Sequence, residues 1–183
     1  MSDLSHMGVW SSGMILPSGQ WSNAEQRCVR TNVGEAPSSI LGTPLFLSPD
    51  SIAIAGDTIL ASQPNPDRII TTAGVLHDGD LQPAKRVGAL SADAMLRLYQ
   101  INAMGPVLFF KSLWPALRRA HPVVAASISA RVGSISDNRL GGWYSYRASK
   151  AALNQYLRTL SIELARYNPE ATVVTLHPGT VAT

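Results

Sequence analysis

An α/β fold built on a parallel sheet, with helices on both faces, is what residues 67–183 predict. Three observations carry this. Residues 68–72, 122–128 and 171–176 are short apolar runs bounded by Gly, Pro and Asn, as buried strands are. Between them lie two longer stretches, 91–119 and 144–167, whose apolar residues recur at helical spacing. Strand and helix alternate strictly, so each helix is read as the crossover between two parallel strands.

The first strand, Arg68-Ile69-Ile70-Thr71-Thr72, ends at Ala73-Gly74. Ser91 is a suitable N-cap for the first helix, and Pro106 and Pro115 should bend it or end it early. A glycine-containing loop over 131–143 follows the second strand. The second helix carries a stripe of Ala148, Ala151, Ala152, Leu153, Tyr156, Leu157, Leu160 and Leu164, and Asn168-Pro169 ends it. The last strand closes at His177-Pro178-Gly179.

Residues 1–66 read differently. They are rich in Ser, Pro, Gly and Trp, and show no amphipathic helix. Residues 52–55 and 58–61 read as short strands, and Asn65-Pro66 as a junction. A single domain of 183 residues is expected, with this atypical segment at its start.

Composition excludes several classes. The chain is 45% hydrophobic and 15% charged, with no run of about 18 apolar residues, so no membrane span is expected. Residues 1–6 lack the basic start and apolar core of a signal peptide, and Cys28 is the single cysteine; a cytoplasmic protein is expected. His6, His77, His121 and His177 lack metal-ligand spacing, so no metal is expected. The net charge of +3 divides unevenly. Residues 1–66 hold two Arg against five Asp/Glu, and the remainder thirteen Lys/Arg against seven Asp/Glu. No basic run is dense enough for nucleic acid.

Chemistry concentrates in Tyr146-Arg147-Ala148-Ser149-Lys150. Positions i and i+4 share one helix face, so Lys150 is expected beside the Tyr146 phenol, lowering its pKa. A phenol so tuned can exchange a proton with a carbonyl or alcohol oxygen.

With Thr72-Ala73-Gly74, Asn102 and Pro178-Gly179-Thr180-Val181 in order around it, this pair resembles the short-chain dehydrogenase/reductase family from about residue 67 to residue 183. Gly141-Gly142-Trp143-Tyr144-Ser145-Tyr146 and the residues after it resemble a bacterial subgroup of small carbonyl reductases. The resemblance implies a Rossmann-type fold and hydride transfer between NADP or NAD and a small carbonyl or alcohol. It implies Tyr146 as general acid or base, Lys150 on the nicotinamide ribose, and Asn102 ordering a relay water. Ala73, Gly74, Pro178, Gly179 and Val181 would also touch the cofactor. A homodimer or tetramer through the 91–119 and 144–167 helices is implied as well. Two departures stand beside it. The family's glycine-rich cofactor turn has no counterpart in residues 1–66, nor does the residue that selects NAD or NADP. The family's catalytic serine position is Ala130, leaving Ser127, Ser129, Ser134 or Ser136 as replacements. The alternative is a non-catalytic family remnant that serves as an association module.

Overall fold

The computed structural model describes residues 46 and 48–179, together with the strand at residues 13–16. Most of residues 1–66, in which no glycine-rich turn is read, and the cofactor contact assigned to Val181 lie outside the described residues, which exclude 1–12, 17–45, 47 and 180–183.

A four-stranded sheet runs in the order β1 (Gly13–Leu16), β2 (Arg68–Thr71), β3 (Val123–Ile128), β4 (Ala171–Leu176). The three predicted strands form within a residue or two of their expected bounds, and β2, β3 and β4 are parallel. Register is continuous across them: Ile69 lies opposite Ala125, and Ala125 opposite Val173. Strand β1 adds antiparallel to β2, so the sheet is mixed at that edge.

The N-terminal third contains a helix that the sequence reading missed. Residues 52–55 and 58–61, read as strands, lie in α1 (Pro49–Ser62). Their β-branched residues gave the strand signal, but the start signal was stronger. Ser48 accepts a hydrogen bond from Ser51 N, Pro49 opens the first turn, and Asp50 follows. Tertiary packing supplies the rest. Ile52 is buried, and Gly56 packs so tightly against Ser112 that it leaves no room for a Cβ.

The stretch 91–119 is not one helix. It divides into α2 (Ala92–Tyr99), a π-helical turn (Gln100–Met104), α3 (Gly105–Ser112) and α4 (Trp114–Leu117). The two prolines explain the breaks. Pro106 has no N–H for the carbonyl of residue 102, and Pro115 none for that of residue 111. The widened turn falls on Asn102, and such turns are common at functional sites. Helix α5 (Tyr144–Leu164) is continuous, with two short polar-to-apolar halves on its buried stripe. Ser145, Tyr146, Ser149 and Lys150 are buried in its first half, and Leu153, Leu157 and Leu164 in its second.

One core unites these elements. Ile69, Val123 and Ala125 of the sheet pack with Ile52, Phe109, Phe110, Leu113, Leu117, Leu153 and Leu157. Alternate strand residues such as Ile70 and Val124 point to the opposite sheet face. The described helices pack on the first face.

The junction of α4, β3 and α5 depends on one buried amide. Asn168 Nδ2 donates to the carbonyls of Leu117 and His121, and its Oδ1 accepts from Glu170 N. Asn168→Ala is expected to lower unfolding stability by about 1–3 kcal/mol, because one buried and one partly buried carbonyl lose their donor. Urea unfolding measures this, and a loss below about 0.5 kcal/mol would be inconsistent with it.

Candidate active site

The first half of α5 brings Tyr146 and Lys150 to one place. Both are buried, and Lys150 Nζ lies 5.9 Å from the centre of the Tyr146 ring. The shared helix face predicted from their spacing is therefore present. Lys150 Nζ donates to the carbonyl of Ile128, the last residue of β3, at 3.0 Å. An ammonium has three N–H groups, so this bond leaves two for other partners.

Asn102 stands on the opposite side of the same space. Its Oδ1 accepts from Val75 N at 2.7 Å, and its Nδ2 donates to Val75 O at 2.8 Å and Ser149 Oγ at 3.0 Å. Ser149 in turn donates to Tyr146 O. The amide thus ties the turn after β2 to α5, directly behind the tyrosine. Ser149 and Val75 were not singled out by motif reasoning, although Ser149 sits three residues after Tyr146 on the same face.

Of the residues assigned to a cofactor, Ala73 is buried, and Gly74 lies against the lysine. A Cβ on Gly74 would stand 3.1 Å from Lys150 Nζ and 3.8 Å from Asn102 Oδ1. Glycine at 74 therefore keeps the space beside the ammonium open. Pro178 and Gly179 follow β4 on the exposed surface, with Gly179 at φ 81°. Gly133 fits under α5, where a Cβ would come within 2.9 Å of the Lys150 backbone. That contact sets how closely the helix approaches residues 131–133.

The electrostatics depart from one expectation. Burial pushes the Tyr146 phenol up, rather than Lys150 drawing it down. Burial also lowers Lys150 from 10.5 to about 8. The reason is geometric. The ammonium bonds the Ile128 carbonyl, and the phenol makes no hydrogen bond among the described residues, so desolvation dominates both groups.

The four replacement serines are all engaged elsewhere. Ser127 accepts from Thr71 Oγ1 at 2.6 Å within the sheet. Ser129 donates to Asn154 Oδ1 at 2.7 Å. Ser134 and Ser136 pair with each other on the exposed loop. Ala130 instead packs, with Val132 and Trp143, on the apolar cluster that holds Tyr146, Val75, Leu76, Leu98 and Ile101. A methyl group therefore occupies the position at which the family resemblance implies a serine. A cavity of about 310 Å³ opens beyond Ala130, lined by Ser129, Arg131, Asn154, Thr175 and His177. It touches neither Tyr146 nor Lys150.

No described helix is long and apolar enough to cross a membrane, and no His/Cys/Asp/Glu group among the described residues could hold a metal ion.

Comparison with known proteins bears on this geometry. The model of the short chain dehydrogenase family matches residues 26–183, reaching further back than the motifs do and taking in α1. C-signal from Myxococcus xanthus is 43% identical over 90 residues, which are 49% of this chain and 52% of that protein. The 1-hydroxy-2-glutathionyl-2-methyl-3-butene dehydrogenase of Rhodococcus sp. (strain AD45) is 37% identical over 109 residues, 60% of this chain and 46% of that one. The chain thus spans about half the length of these curated relatives. Among solved structures, a short-chain dehydrogenase/reductase from Burkholderia multivorans with bound NADP superposes with a TM-score of 0.64 at 27% identity. That match covers 75% of this chain and 56% of the other.

Proposed function

Because this chain belongs to the short-chain dehydrogenase family, we propose that it acts as an NADP- or NAD-dependent oxidoreductase on a small carbonyl/alcohol pair. The single observation that carries the reading is the buried Tyr146–Lys150 pair beside Gly74 and Asn102.

The residues present fit the nicotinamide half of such a cofactor. Lys150 is a buried ammonium with one protein acceptor and two spare donors, suited to ribose hydroxyls. Gly74 supplies the space beside it. Ala73, Pro178 and Gly179 would flank the ring end, with Val181 following. When bound, the cofactor gives or takes the hydride. Tyr146 gives the proton to the carbonyl oxygen in reduction and takes it back in oxidation. Lys150 returns that proton from solvent through a water held at Asn102. The Asn102 Oδ1 has one lone pair left after accepting from Val75 N. NADP is the first cofactor to try, since the similar Burkholderia multivorans structure holds it. The remaining surface of α2 and α5, with Leu96 and Ile162 exposed, is the proposed contact between subunits.

The test is oxidation of NADPH and of NADH by the purified chain against a panel of aldehydes and ketones. Turnover that saturates with the carbonyl supports the reading, and none with either cofactor overturns it. Ala130→Ser is expected to raise kcat/KM by about tenfold or more, because it returns a hydroxyl donor to the position at which the family resemblance implies a serine. Steady-state kinetics measure this. An unchanged kcat/KM would show that position 130 does not face the reacting oxygen.

A further inference from the structure

The loop between β3 and α5 is fastened in an unusual way. Gly141, Gly142 and Trp143 are three consecutive residues with positive φ, at 63°, 69° and 52°. For tryptophan this backbone costs about 1 kcal/mol or more, so something must hold it. Arg147 is placed to do so. Its Nε donates to Gly142 O at 2.9 Å, one terminal nitrogen to Gly141 O at 3.1 Å, and the other to Val132 O at 3.4 Å. One guanidinium thereby ties both ends of the loop to the residue that follows Tyr146. Tyr144 N adds a bond to Ala84 O beyond the turn. The consequence is the position of Trp143, whose indole meets the Tyr146 ring edge-on at 6.4 Å. The tethered loop also holds two apolar side chains out in solvent, Ile135 at 85% exposure and Leu140 at 94%.

We propose that Arg147 is a positioning residue that holds Trp143 as the wall of the substrate cleft, and that this cleft selects aryl carbonyls over short polar ones. The inference rests on Tyr146 being the proton donor. The guanidinium reaches its three carbonyls from three separate nitrogens held in one rigid plane, a spread that the single ammonium nitrogen of a lysine does not reproduce. Trp143 offers apolar surface beside the Tyr146 phenol for the substrate's ring, and the tethered turn fixes the backbone that carries the indole. Reduction here uses the balance already described: hydride from the cofactor, proton from Tyr146.

The experiment compares wild type, Arg147→Lys and Trp143→Phe in two readouts. The first is ¹⁹F NMR of the protein labelled with 5-fluorotryptophan, with the Trp143 signal assigned by its loss in Trp143→Phe. Arg147→Lys is expected to shift or broaden that signal and leave the Trp114 signal in place. The second readout is kinetics on an aromatic aldehyde and on glyceraldehyde. Arg147→Lys should raise KM for the aromatic substrate about tenfold while kcat on either substrate changes by less than about threefold, a split that loss of packing alone would not produce. An unmoved Trp143 signal in Arg147→Lys overturns the positioning role, whether or not the protein turns over. Equal losses on both aldehydes overturn the selectivity. Absence of turnover in wild type counts against the proposed activity, and the NMR arm then decides the role of Arg147.

Discussion

Tyr146→Phe is expected to lower carbonyl reduction by about 10²–10⁴-fold, the usual worth of a positioned general acid. The substitution removes one oxygen from a ring that stays packed against Val75, Leu98, Ile101 and Trp143. The phenol oxygen makes no hydrogen bond among the described residues, so no protein partner is orphaned. Thermal unfolding should therefore change little while kcat falls. The combination is what separates a chemical role from a structural one. If kcat survives within a factor of about three, the proton comes from elsewhere and Tyr146 is a core residue.

Lys150→Met tests the other member of the pair through stability. The folded-state pKa of Lys150 is lowered from 10.5 to about 8 by burial. Below about pH 8 both folded and unfolded chains carry the charge, and the folded one bears the full cost of burying it. Between about pH 8 and 10.5 the unfolded chain binds a proton that the folded chain does not, so rising pH favours folding. Above that range both forms are neutral at this residue. Wild type should therefore gain stability relative to Lys150→Met by up to about 1.4 kcal/mol per pH unit across that window. Denaturant unfolding of both proteins from pH 7 to pH 10 measures the difference. Parallel profiles would mean that the lysine is solvated and not desolvated beside Gly74.

Motif spacing made the site legible where the chemistry is local. Tyr146 and Lys150 share one turn of helix, so their common face follows from sequence alone. The three parallel strands were legible because each is a short apolar run with a clear stop. Helix α1 was not, because its two β-branched runs look like strands, and its burial against Ser112 and Phe110 comes from distant sequence. The division of 91–119 was half legible: Pro106 and Pro115 announced breaks, but not that the first would widen into a π turn at Asn102. The direction of the Tyr146 pKa was misjudged for a related reason. Spacing gives proximity, whereas the hydrogen bond from Lys150 to the Ile128 carbonyl, which takes the ammonium away from the phenol, depends on where β3 ends. The role of Arg147 was hidden because its three acceptors are backbone carbonyls, which leave no trace in residue type.

The central claim is that Lys150, with Gly74 and Asn102, forms the seat of a nicotinamide cofactor. The most direct measurement is fluorescence titration of the purified chain with NADPH and with NADH, for wild type and Lys150→Met in parallel. The account predicts saturable binding of at least one cofactor by wild type, weakened at least about tenfold in Lys150→Met, since the ribose hydroxyls lose a charged donor. Equal affinity in the two proteins, or no binding by wild type, would contradict it.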